Sequence, residues 1–216
     1  MRALHAGYAF LAALLVSSVA LAAPRSHKPR ATRANTIHTS TRAESVGSPN
    51  EGHLVGGVEL RASKCLRLIG EDHFGVSELV SLVERTCKRV EGRHPGERLT
   101  VGDLSKKGGG DVPGHHSHES GRDVDLGFYL VDARGRQVFA RRFATIDPDG
   151  RAKGRGGGRF DDAANWDLVE ALVTDPNARV LQIFVAKPLR ALLLTEAQKR
   201  GASPSVRDRA ASLMLQ

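Results

Sequence analysis

Histidine runs out early in this chain. Nine are spread over 216 residues, and none follows His118. Other shortages narrow the field further. Cysteine occurs twice, too rarely for a disulfide scaffold or a thiolate zinc site. Aromatic residues make up 5% of the chain, which supports no stacking platform for bases. The glycine-rich stretches lack the Lys-Ser/Thr pair of a phosphate-binding loop, and neither Ser117 nor Ser120 sits in a nucleophile-elbow pattern. The apolar run Tyr8 to Leu21 covers about 14 residues, short of the roughly 20 that a membrane span needs.

That run fits a secretory leader instead. Arg2 supplies a positive start, and Ala20-Leu21-Ala22-Ala23 offers the small residues of a cleavage site. Residues 1–23 therefore read as a signal peptide, with a retained anchor as the alternative. Residues 24–45, rich in Arg, Ser, Thr and Ala, read as a flexible basic linker. The expected location is the periplasm, with no membrane span left after cleavage. Export also allows a Cys65–Cys87 disulfide, against the alternative of a buried free thiol at Cys87. The formal charge of +8 favours polyanions. For an exported protein these are wall polymers or anionic lipid rather than nucleic acid, unless the charge merely solvates the surface.

The remaining chain, 46–216, carries the periodicities of one α+β domain. Val76, Leu79, Val80, Val83, Cys87 and Val90 recur at helical spacing. Residues 98–104 predict a short strand. From Asp123 the apolar residues alternate, predicting a strand to Leu130, a turn at 133–136 and a return strand over 137–143. Residues 147–158 predict a mobile loop. Asp161 and Asp162 suit the start of a helix to about Thr174. Val180 to Ala186 predicts a strand. Pro188 and Gly201 suit the start and end of a helix, and Ser203-Pro204 opens another that runs to Gln216. The elements mix without regular βαβ alternation, so a small antiparallel sheet flanked by helices is expected rather than a doubly wound one.

The chemistry concentrates in Gly114-His115-His116-Ser117-His118-Glu119-Ser120-Gly121-Arg122-Asp123-Val124-Asp125. Imidazole and carboxylate are the ligands of hydrolytic zinc, whose catalytic sites combine three protein ligands with an open position. His116 and Asp123 are seven residues apart, and so are His118 and Asp125. Either pair could reach one ion if the chain turns at Gly121. Asp125, held on a strand, favours the second pair. A solvated histidine loop, with Asp123 only capping a turn, is the alternative.

Ser117-His118-x-x-Gly121-x-Asp123-x-Asp125 resembles the first zinc motif of the penicillin-insensitive murein endopeptidases, within the wider group of lysostaphin, D-alanyl-D-alanine peptidases and the Hedgehog domain. Gly102-Asp103-Leu104-Ser105, Gly109-Gly110, Gly114-His115 and Phe184-Val185-x-x-Pro188-Leu189 are similar as well. The resemblance covers roughly residues 45–216. It implies a zinc endopeptidase that cuts D-alanyl–meso-diaminopimelyl cross-links of peptidoglycan. It also implies His118 and Asp125 as zinc ligands, and His115 at the same or a second ion. Asp123 would be a structural support of the ligands, while Ser117 and Gly121 would shape the turn; His116 falls at a variable position. One departure stands out. The family completes its site with a later His-x-His, supplying the third ligand and a candidate base, and this sequence contains none. The expectation is a chain that lacks the last catalytic strand and is inactive as it stands, or else a peptidoglycan-binding module that does not cut.

Overall fold

The α1 helix (Ser77–Arg93) turns Leu79, Val80, Leu82, Val83, Thr86, Cys87 and Val90 inward, as the helical spacing predicts. It connects two parallel strands, β5 (Leu66–Leu68) and β7 (Leu99–Val101). The computed structural model describes residues 42–139, 141–154 and 157–215, together with the backbone of 12–17. The rest of the expected leader and residues 24–41 of the expected linker lie outside the described residues.

In chain order the strands are β1 (Ala12–Ser17), β2 (Glu44–Ser48), β3 (Glu51–Val55), β4 (Val58–Glu59), β5, β6 (Phe74–Gly75), β7, β8 (Asp125–Leu126), β9 (Leu130–Val131), β10 (Arg159–Phe160), β11 (Arg179–Phe184) and β12 (Met214–Leu215). The further helices are α2 (Asp162–Val173), α3 (Lys187–Lys199) and α4 (Pro204–Leu213). The main sheet has the order β12-β11-β1-β8-β7-β5, and three small pairs, β2-β3, β4-β6 and β9-β10, complete an α+β fold. This sheet is mixed rather than purely antiparallel, since β5-β7 and β11-β12 are parallel pairs. β1 pairs antiparallel with β11 on one side and β8 on the other, with Ala13 opposite Asp125.

Helix ends follow local chemistry. The Asp161 side chain accepts the Ala164 N–H at 3.0 Å, and Ser203 Oγ accepts from Val206. Pro188 and Pro204 sit in first turns, where a missing N–H costs nothing. α2 is buried nearly all round, with Trp166 at its centre. It is tied to α1 and α3 through the buried Asp167, whose carboxylate meets Arg93, His94 (2.7 Å) and Arg200 (2.9 Å). A disulfide joins Cys65, just before β5, to Cys87 on α1.

Three expectations need correction. The strand from Asp123 to Leu130 is interrupted: only its two ends pair, β8 within the main sheet and β9 with β10, and all of residues 123–130 but Phe128 are buried rather than alternating. No return strand forms over the described part of 137–143. There Gln137 bridges Val131, while its side chain takes both backbone groups of Arg98 (2.8 Å each) and ends the extension. Phe143 instead folds its ring over Gly102 and Gly127, where an added Cβ would come within 2.7 and 3.0 Å of it. Finally, α4 stops at Leu213. Arg190 caps it through the carbonyls of Ala211 and Met214, and the buried Met214 enters the sheet beside β11.

Candidate metal centre

The site is built where β7 runs out. Gly102 N–H donates to the Asp125 carbonyl (2.8 Å) and Asp125 N–H to the Asp103 carbonyl (3.0 Å), so β8 is laid against the strip 102–104. The preceding loop doubles back at Gly121, whose φ is +69°. A Cβ there would lie 2.9 Å from Leu54 Cδ2 and 3.1 Å from the Gly75 backbone, so both conformation and space demand glycine. The β2-β3 hairpin clamps this loop from outside. Glu119 N–H donates to the Pro49 carbonyl, and its carboxylate accepts from Gly52.

His118 is the one non-glycine residue with a left-handed φ (+77°) among the described residues. Such a conformation is held only when its surroundings over-determine it. Here the His118 N–H donates to Asp123 Oδ2 at 2.9 Å, and Nδ1 lies 2.7 Å from the Leu104 carbonyl. A carbonyl can only accept, so Nδ1 carries a proton, and Nε2 is the nitrogen left to offer a lone pair to an ion that displaces its proton. Nε2 faces Asp125 Oδ1 at 3.2 Å. The pair is not aligned as a hydrogen bond, and both atoms are buried without a hydrogen-bond partner.

His115 completes the group, its ring perpendicular to that of His118 with centroids 4.9 Å apart. Its Nδ1 is 3.7 Å from Asp125 Oδ2. One ligand atom each from His115, His118 and Asp125 lies within 4.8 Å of the others. Of the remaining candidates, Asp123 is buried behind His118 as a support, its Oδ2 3.4 Å from the ring Nδ1. Ser117 is half-buried at the turn and His116 is exposed. The alternative pairing of His116 with Asp123 does not form.

Electrostatics favour a cation here. Burial pushes the carboxyls of Asp123 and Asp125 above the usual carboxylate range, against the opposing pull of His118. Burial would also strip His118 of its proton, but the facing carboxylates of Asp125 and Asp123 outweigh it and push the imidazole up to about 9. Two buried acids thus draw in positive charge, and orphaned nitrogen and oxygen atoms converge on one point. Buried polar atoms without partners are rare in folded proteins, and a borderline metal such as zinc satisfies both atom types. The donor set fits such an ion.

Residues 45–200 match the sequence profile of the penicillin-insensitive murein endopeptidases. The chain belongs to that family. It is 32% identical over 142 residues to the penicillin-insensitive murein endopeptidase of Citrobacter koseri, covering 63% of this chain and 49% of that protein. Identity to those of Escherichia coli O157:H7 and Shigella dysenteriae serotype 1 is 33% over the same length. The chain spans about half the length of these curated murein endopeptidases. Two contributors to the centre escaped the sequence reading: the Leu104 carbonyl, which no side-chain pattern reveals, and Asp103, recognised only as part of a similar stretch.

Proposed function

We propose that this chain is a zinc-dependent peptidase of peptidoglycan, acting in the periplasm on D-alanyl–meso-diaminopimelyl cross-links. In this reading residues 1–23 are an export signal, whose cleavage would take β1 out of the main sheet, and 46–216 form the wall-acting domain. The observation that carries it is the convergence of His115, His118 and Asp125 around orphaned buried atoms, in a chain of the murein endopeptidase family. Bound there, zinc would polarise a scissile carbonyl and make hydroxide available near neutral pH. The chain's own residues do the holding. Leu104 turns His118 so that Nε2 faces inward, Asp123 fixes its backbone, and β7 positions Asp125. The basic surface suits an acidic wall polymer.

A second reading rests on the make-up of the centre: among the described residues its imidazoles are those of His115 and His118. With both spent on the ion, the described residues place no third imidazole in that cluster to act as base. A chain of this kind would hold wall peptides without cutting them. Purified full chain, loaded with zinc and incubated with cross-linked muropeptides with and without chelator, separates the two. Chelator-sensitive release of monomers supports the peptidase. Retention on sacculi without release supports the binding module. A chain that takes up no zinc overturns the metal centre in both.

A further inference from the structure

Asp103 lies beside the centre without belonging to the converging set. Its backbone carbonyl receives the Asp125 N–H, which fixes its place at the rim. Its carboxylate is divided between two tasks. Oδ1 accepts the N–H groups of Glu71 (3.0 Å) and Asp72 (3.1 Å). The turn that presents them begins at Gly70, φ +86°, where a Cβ would come within 2.3 Å of that same oxygen. The turn is therefore folded around Oδ1, which orients the carboxylate. Oδ2 is left facing His115 Nε2 at 3.4 Å, while the other ring nitrogen, Nδ1, looks toward Asp125.

We infer that Asp103 is a positioning residue for the metal centre, fixing His115 with its proton on Nε2 so that Nδ1 is the ligand atom. The inference rests on the proposed zinc site. Its logic is that Asp125, as a ligand, is committed to the ion, so the carboxylate left to accept a proton from His115 is that of Asp103, the nearer one, at Nε2; Nδ1 then keeps the lone pair. Partners of this kind set both the orientation and the basicity of a ligating imidazole. The neighbouring residue does the same for the other imidazole with the opposite sense. Leu104 takes Nδ1–H of His118 through its carbonyl and leaves Nε2 as ligand. Two consecutive residues at the end of β7 thus select opposite nitrogens on two histidines, one by side chain and one by backbone.

The test uses the full chain and Asp103→Asn. Asparagine keeps an oxygen for the two turn N–H groups but turns an amide donor toward His115. Nitrogen-15 spectra of the histidine rings report the tautomer with and without zinc, and chelator competition reports zinc affinity. The expected result is an Nε2–H tautomer for His115 in the wild type in both states. Asp103→Asn should keep the wild-type Tm, lose that tautomer preference and bind zinc about 10–100-fold more weakly. Wild-type zinc affinity in Asp103→Asn, or an Nδ1–H tautomer of His115 in the wild type, overturns the inference. Should the wild type bind no zinc, the metal centre fails on that measurement. The metal-free tautomer still decides the Asp103–His115 pairing separately, so the two failures are distinguishable. If Asp103→Asn lowers the Tm, the wild-type tautomer alone decides.

Discussion

The side-chain amide of Asn165 pairs with both backbone groups of Tyr129. Its Oδ1 accepts the Tyr129 N–H at 2.8 Å, and its Nδ2 donates to the Tyr129 carbonyl at 2.9 Å. All of these groups are buried. One side chain on α2 thereby does what a neighbouring strand would do for the segment between β8 and β9. The Tyr129 carbonyl also accepts the Asp161 N–H at 3.0 Å, so Asn165→Ala leaves the buried Tyr129 N–H without a partner and should cost about 1–3 kcal/mol. Urea unfolding of the two proteins checks it, and a change below 1 kcal/mol on the order of a surface substitution would contradict it.

His118 is expected to dominate zinc retention. Losing a supporting partner of a metal ligand typically costs about 10–100-fold in affinity, so His118→Ala, which removes a ligand atom itself, should cost more than about 100-fold. His116→Ala, at an exposed ring outside the cluster, should leave zinc content unchanged. Metal analysis of the dialysed proteins reads both. Equal retention by wild type and His118→Ala would remove this residue from the ligand set.

The metal-free chain should lose stability as pH rises from neutrality. His118 is raised to about 9, so its folded form holds a proton that the unfolded ring releases near its ordinary value of 6.5. The stabilisation is complete below about 6.5 and disappears as pH climbs through about 9. The groups facing the ring are Asp123, Asp125 and His115. The two carboxyls are also raised, so they act in the same direction at lower pH. Zinc displaces the His118 proton, and its affinity should therefore increase with pH over the same window. Unfolding curves in chelator and zinc competition at several pH values test the pair of trends. A metal-free stability that rises between 6.5 and 9 would refute the assignment.

Reduction of Cys65–Cys87 should weaken the domain measurably. The bridge closes a loop with a sequence separation of 22, for which chain entropy gives about 3 kcal/mol. Unfolding with and without reductant reads the difference. The metal centre should be formed in both, because neither cysteine touches it.

The α+β class and three of the four helices at nearly their full extent were legible because their signals are local: an apolar stripe, a capping aspartate, a proline in a first turn. The pair His118 and Asp125 was legible for the same reason, since seven residues and one glycine bring them together. Asp103 was not. Its role exists only because β7 and β8 pair and because the turn after Gly70 closes on its carboxylate, contacts separated by about 20–30 positions. The strand expected from Asp123 to Leu130 is not continuous, because alternating residues there do not mark one solvent face. In the fold α2 and the Phe143 ring cover what would have been open, so alternation there sorts two kinds of interior.

The position of β1 gives the sheet an unusual dependence. Among the described residues, every ladder hydrogen bond between its two parts, β5-β7-β8 and β11-β12, passes through Ala12–Ser17. Asp125 lies on the β8 rung opposite Ala13. Whatever segment occupies that one-strand-wide slot decides whether Asp125 belongs to an interior strand or to an edge. An edge strand frays and invites new pairing, whereas an interior one is held on both sides. The order of the centre is in this sense lent to it by a neighbour that contributes no ligand.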